Sequence, residues 1–161
     1  MSKVLEKAKN IESYIIDFRR ELHRNPELSG QEFKTQEKIM KELDKLGIPY
    51  KKAGNTSLIA VLNEGKGKVV ALRADTDALP VLEQADVDFK SEIEGSAHAC
   101  GHDAHTAMLL GAARILSEMK DELPGKVRFF FQEGEETFTG AKLIVEAGGM
   151  EGVDAAFGVH V

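Results

Sequence analysis

The chain has 161 residues, 42% of them hydrophobic and 30% charged, a composition that suits one soluble globular domain. Its formal net charge of −6 argues against a nucleic-acid binder and against attraction to an anionic membrane. A single cysteine permits no intrachain disulfide, and no apolar run approaches the ~18 residues of a membrane span, so the expectation is a cytoplasmic protein.

Leu5, Ala8, Ile11, Ile15, Phe18 and Leu22 recur at intervals of three and four, which predicts one amphipathic helix from Lys3 to Arg24. Asn25-Pro26 ends it, because the residue before a proline is pushed out of the helical region. His23 falls where an imidazolium favours the helix dipole and is assigned no chemistry. Ser29 with Glu32 reads as a capping box for a second helix, with Phe33, Ile39, Leu43 and Leu46 on its apolar side and Gly47 at its end.

From Tyr50 the pattern turns to β. Runs Ser57–Leu62 and Lys68–Arg73 flank Asn63-Glu-Gly-Lys-Gly67, the signature of a hairpin. The second run is nearly all apolar, as a central strand would be, and it delivers Asp75 and Asp77 near its end. Residues 79–96 are polar and show no clear period. Ala104, Ala107, Met108, Gly111, Ala112, Ile115 and Met119 then predict a helix whose small side permits close approach to a sheet. Lys126–Gln132 reads as a buried strand ending in Glu133-Gly-Glu-Glu136. A short helix follows around Ala141–Ala147, stopped by Gly148-Gly149, and a last strand from Asp154 to Val161 carries His160. Helices alternating with apolar strands predict an α/β sandwich with a largely buried sheet and no internal domain boundary.

The stretch His98-Ala-Cys-Gly-His-Asp-Ala-His-Thr106 holds the only cysteine and three of the five histidines. Thiolate and imidazole bind borderline metals. Cys100 and His102 can reach one ion only from a bend, since residues two apart on a helix point about 200° apart, and Gly101 supplies the freedom for it. Asp75, Asp77, the glutamates 133, 135 and 136, and His160 all follow strands. Parallel neighbours would therefore bring them to one crevice. Such a cluster of carboxylates needs cations, and the donor mixture suits Zn²⁺, Mn²⁺ or a similar transition metal. Adjacent Glu135 and Glu136 can serve one site only through a turn, which Gly134 allows. One would then hold metal while the other takes a proton from water. The bland readings are that Cys100 is packing, that His98 and His105 brace the bend, that Asp103 caps the next helix and that Glu133 is solvated.

HACGHDAHT at 98–106, ALRADTDALP at 71–80, FFFQEGEE at 129–136 and AAFGVHV at 155–161 together resemble the two-metal amidohydrolases. That family holds hippurate hydrolases, auxin-conjugate hydrolases and N-acetyl-diaminopimelate deacetylases, within the wider aminoacylase and carboxypeptidase group. The resemblance runs from the first helix to the last residue. It implies a zinc-peptidase-like, three-layer αβα sandwich around a mixed, mostly parallel sheet. It also implies two divalent ions, zinc or manganese with cobalt or nickel compatible. Cys100, His102, Glu136 and His160 match metal ligands, and Glu135 matches the general base. Asp77 matches the acid that orients the metal centre, while Asp75, His98, Asp103 and His105 are candidates for the surrounding layer.

The implied reaction is hydrolysis of the amide bond of an N-acyl amino acid or short peptide by a metal-bridging hydroxide, with no nucleic acid or membrane as partner. Glu133-Gly134 stands where the family has Pro-Ala, and Thr137-Phe-Thr-Gly140 replaces a glycine-rich run, which touches substrate preference. The family's catalytic domain is interrupted by a lid and dimerisation domain. The expectation is therefore that residues 1–161 are the N-terminal portion of that domain, weakly active or inactive alone, from a parent for which a homo-oligomer is one expectation. Two other readings stand beside it: a metal-binding but inactive interaction module, and an amidase with Cys100 as nucleophile beside a histidine.

Overall fold

In the computed structural model, which describes residues 2–63 and 67–161, the N-terminal stripe folds as two helices rather than one. α1 (Lys3–Asn10) and α2 (Glu12–Arg24) meet at Ile11, a single non-helical residue with φ −111° and ψ 13°. One such residue barely rotates the stripe, and Ile15 N resumes the helical bond to Ile11 O at 3.1 Å. This is why the apolar spacing runs through the break unchanged. α3 (Phe33–Leu46) closes on Gly47 in the left-handed region, as predicted. Its start is a correction. Ser29 does not cap it. The Glu27 carboxylate does, accepting from Lys34 N at 3.1 Å and Thr35 N at 2.8 Å.

The strands are β1 (Tyr50–Ala53), β2 (Ser57–Leu62), β3 (Val69–Asp75), β4 (Lys126–Gln132) and β5 (Ala155–Gly158). They form one sheet in the order β1-β2-β4-β3-β5. The predicted β2–β3 hairpin is therefore corrected. β2 pairs with β1 and with β4, antiparallel in both cases, and β4 separates it from β3. The central part of the predicted turn, residues 64–66, lies outside the described residues. Parallel pairing joins β3 to β4 and β3 to β5, and this half of the mixed sheet faces the functional residues.

The order follows from apolar patterning. Phe129 and Phe131 pack with Leu58, Ala60 and Ala74 beneath α3 and α4 (His102–Glu118), through Ile39, Leu43, Leu110 and Ala113. Phe130 points the other way, to Ile59, Ala71 and Ile144 of α5 (Gly140–Glu146). A strand that is apolar on both faces is stable only where both are covered, and β4 takes that place. The expected αβα sandwich is the result. The small side of α4 serves a second approach that the sequence does not reveal. A Cβ on Gly111 would lie 2.7 Å from Ile15 Cδ1, so the glycine admits α2 rather than the sheet. Among the described residues, no helix is long and apolar enough to cross a membrane.

Candidate metal centre

Parallel registry brings the acidic loops together. Asp75 pairs with Gln132 at the ends of β3 and β4, so Asp77 and residues 133–136 leave the sheet from the same edge. Arg73 pairs with Gly158, which sends His160 the same way. α4 begins over this edge, with Thr106 Oγ1 donating to Asp75 O at 2.8 Å.

Gly101, at φ 80°, makes the bend that precedes α4 and separates Cys100 from His102. Cys100 Sγ lies 3.5 Å from His160 Nε2. His102 is fully buried. Its Nδ1 lies 2.9 Å from Asp77 O and 3.2 Å from Asp77 Oδ1, and this partner fixes the Nδ1–H tautomer. Its Nε2 is thereby turned to the other side, 3.6 Å from Asp75 Oδ2, 3.8 Å from Glu136 Oε1 and 3.9 Å from Glu135 Oε2. Gly134 at φ 54° turns the chain just past β4, and both adjacent carboxylates reach the imidazole. His102 is common to three groupings whose donor atoms lie within 4.8 Å of one another. These are Cys100 with His160, Asp75 with His105, and Glu135 with Glu136.

The residues fit a metal ion. His102 Nε2 and Glu136 Oε1 are buried, face one another and have no hydrogen-bond partner among the described residues. An acceptor nitrogen beside a carboxylate oxygen is satisfied by a shared cation. The electrostatics agree. Burial opposes ionisation of Asp77, but hydrogen bonds from His102, Ser29 and the Glu136 and Glu135 N–H groups outweigh it and hold the carboxyl at about 2. Burial also works against the His102 imidazolium, yet the bond to Asp77 and the charges of Asp75 and Asp77 raise its pKa. Burial and the carboxylates of Glu136, Glu135 and Asp75 push the Cys100 thiol up to about 11. A divalent cation held among these groups would invert that preference and favour the thiolate.

The neighbouring candidates divide. His105 Nδ1 meets Asp75 Oδ1 at 2.6 Å while its Nε2 accepts from Val161 N at 3.0 Å, so both nitrogens are engaged. Arg73 Nη1 lies 2.8 Å from Asp75 Oδ2. Among the described residues His98 is buried with neither ring nitrogen hydrogen-bonded and belongs to none of the three groupings. Asp103 does not cap α4. Its Oδ2 takes Arg19 Nε and His23 Nδ1, each at 2.7 Å, and ties α2 to α4. His23, expected only to favour the helix dipole, lies in the last turn of α2, is 6% exposed and also meets Glu83 Oε1 at 2.9 Å. Glu133 is not solvated either. At 2% exposure it accepts from Thr56 N and Ser57 N at 2.5 and 2.6 Å. Two polar residues at the centre's edge escaped the sequence reading, Ser29 and Glu32. Their capping-box spacing pointed to a helix end.

A mixed sulfur, nitrogen and oxygen donor set at the carboxyl ends of parallel strands defines a candidate transition-metal centre on an α/β sandwich. The model of the peptidase family M20/M25/M40 matches residues 71–161, and the chain belongs to that family. An IAA-amino acid hydrolase (ILR1-like 5) of Arabidopsis thaliana is 48% identical over 158 residues, covering 98% of this chain and 36% of the relative. An N-acyl-L-amino acid amidohydrolase of Geobacillus stearothermophilus is 45% identical over 154 residues, covering 94% of this chain and 42% of the relative. The crystal structure of the Bacillus subtilis YXEP protein, a dinuclear metal-binding peptidase of the M20 family, superposes with a TM-score of 0.90 at 44% identity. It covers 94% of this chain and 43% of that one. The chain thus spans well under half the length of these relatives.

Proposed function

We propose that these 161 residues form part of the catalytic domain of a metal-dependent amidohydrolase, acting in the cytoplasm on N-acyl amino acids or short peptides. The observation that carries the reading is the buried Nε2 of His102 facing both Glu135 and Glu136. Likeness to relatives named for amide-bond hydrolysis supports the substrate class. Cys100, His102, Glu136 and His160 would hold two divalent ions, zinc or manganese with cobalt or nickel compatible. When bound, such ions supply Lewis acidity that lowers the pKa of water and stabilises the oxyanion of a tetrahedral carbonyl adduct.

The chain's own groups do the rest. Glu135, partly exposed beside the centre, takes a proton on its carboxylate and delivers it to the leaving amine. Asp77 holds His102 in the tautomer that presents Nε2. The Cys-nucleophile reading has one geometric support, the 3.5 Å approach of Cys100 to His160. A thiol held at about 11 is nearly all protonated at neutral pH, which favours the metal reading. An inactive metal-binding module is separated from the enzyme by turnover of the complete parent protein. Because the chain covers 36–43% of its relatives' length, we expect it to be weakly active or inactive by itself.

Metal analysis tests the centre. Cys100→Ala and Glu136→Ala should each abolish stoichiometric binding, and metal content unchanged by both would refute the assignment. In a complete parent enzyme, Glu135→Gln should keep the metal and lose nearly all turnover, whereas retained turnover would remove its role as base.

A further inference from the structure

The segment between α2 and α3 touches both acidic loops of the centre at once. Ser29 Oγ donates to Asp77 Oδ2 at 2.6 Å, and the same oxygen accepts from Glu136 N at 3.0 Å. Three residues on, Glu32 is 1% exposed. Its Oε1 accepts from Gly134 N at 2.9 Å and its Oε2 from Thr56 Oγ1 at 2.6 Å. The segment is also bonded to the first loop through its backbone, with Ala78 N donating to Glu27 O at 2.8 Å. Leu28 and Ala78 form a parallel bridge at the same point.

A local explanation fails. If Glu32 and Ser29 served the start of α3, their side chains would face its free N–H groups, but the Glu27 carboxylate already takes Lys34 N and Thr35 N. Besides the nearby backbone N–H groups of Gly30 and Glu32 itself, the buried Glu32 carboxylate takes Gly134, at the turn that carries Glu135 and Glu136, and Thr56 beside it. These bonds offset part of the burial that raises its pKa. Asp77 in turn sets the tautomer of His102. One short segment therefore constrains the β3 loop through Ser29 and the β4 loop through Glu32.

We propose that Ser29 and Glu32 are positioning residues that clamp the Asp77 loop and the Glu135-Glu136 turn in the spacing a metal ion requires. The inference rests on the metal-centre reading above. Partners one layer behind the ligands change metal affinity by about 10–100-fold, and Ser29 and Glu32 should act near the lower end of that range.

The test is Zn²⁺ affinity of the full 161-residue chain by chelator competition, alongside the thermal midpoint of the metal-free protein. Ser29→Ala should weaken Zn²⁺ about tenfold with the metal-free midpoint nearly unchanged, and Ser29→Thr, which keeps the hydroxyl, should restore affinity. Glu32→Gln keeps an acceptor for Gly134 N and should stay close to wild type, while Glu32→Ala should weaken binding like Ser29→Ala. Should Glu32→Ala fail to fold, the Ser29 pair decides. Wild-type affinity in Ser29→Ala, or a lowered midpoint with unchanged affinity, would overturn the clamp while leaving the centre intact. A wild-type chain that binds no Zn²⁺, or a Cys100→Ala variant that binds as tightly as wild type, would overturn the centre and the clamp with it.

Discussion

Asp77 meets His102 with two acceptors at once, its backbone carbonyl at 2.9 Å and its carboxylate Oδ1 at 3.2 Å from Nδ1. Its other carboxylate oxygen receives Ser29 Oγ and Glu136 N. Asp77→Asn places an amide NH2 either against these two donors or against the imidazole N–H. We expect metal affinity to fall by about 10–100-fold with the secondary structure intact by circular dichroism. Unchanged affinity would show that the orientation of His102 is set elsewhere.

Cys100 gives a clean chemical probe because it is the only thiol. With its pKa pushed up to about 11, the metal-free chain should react with iodoacetamide at pH 8 at least 100-fold more slowly than free cysteine, from the difference in thiolate fraction. The rate should keep climbing with pH beyond 9. A plateau near pH 8.5 would mean that the surrounding carboxylates do not act on the thiol.

Metal binding should be strongly pH-dependent for the same reason. The ion displaces a proton from Cys100 across the neutral range and a second from His102 below its raised pKa. Affinity should thus fall at least tenfold for each unit by which pH is lowered through neutrality, and more steeply below the raised pKa of His102. Calorimetry in buffers of different ionisation enthalpy measures the proton release, and none at pH 7.5 would contradict a thiolate ligand.

His98 predicts an acid-sensitive fold. Burial holds its pKa down to about 4, below the ~6.5 of an unfolded histidine. Between those values the unfolded chain binds a proton that the folded chain refuses, so stability is lost as pH falls from about 6.5 towards 4. The loss at full development is on the order of 3 kcal/mol. Urea titrations of wild type and His98→Asn at pH 7 and pH 4.5 measure it, and equal acid sensitivity in both would assign the effect to other groups.

Glu133 should matter for stability. Its Oε2 accepts from Thr56 N and Ser57 N in a site that is 2% exposed. Glu133→Gln can satisfy these donors with one oxygen but gains a buried NH2 that needs a partner. A loss of about 1–3 kcal/mol in urea unfolding is expected. A loss below 0.5 kcal/mol would show that the amide finds its own acceptor.

How much of this was legible depended on how local the cause was. The Gly47 stop, the Gly101 bend and the Gly134 turn are local backbone events, and each is visible as a glycine at the right place. The apolar Phe129–Phe131 run showed a buried strand because burial on both faces leaves no alternation to hide. The pairing of that strand was not legible. Asn63-Glu-Gly-Lys-Gly67 has hairpin chemistry, but the partners of β2 are residues 50–53 and 126–132, and tertiary burial outweighs the turn. The buried roles of Glu32, Glu133, His23 and Asp103 were hidden for a related reason. Charged residues look alike in sequence whether water or a distant backbone N–H receives them.

The placement of β4 between β2 and β3 also sets an order of events. Residues 76–125 separate β3 from β4, so the ladder that aligns Asp75 with Gln132 closes a long loop at an entropic cost. Until it closes, the groups that meet around His102 are scattered along the chain. Long-range strand pairing, rather than any local turn, is thus what creates the ion's binding site. An ion that recognises only this assembled state would pull folding forward by mass action.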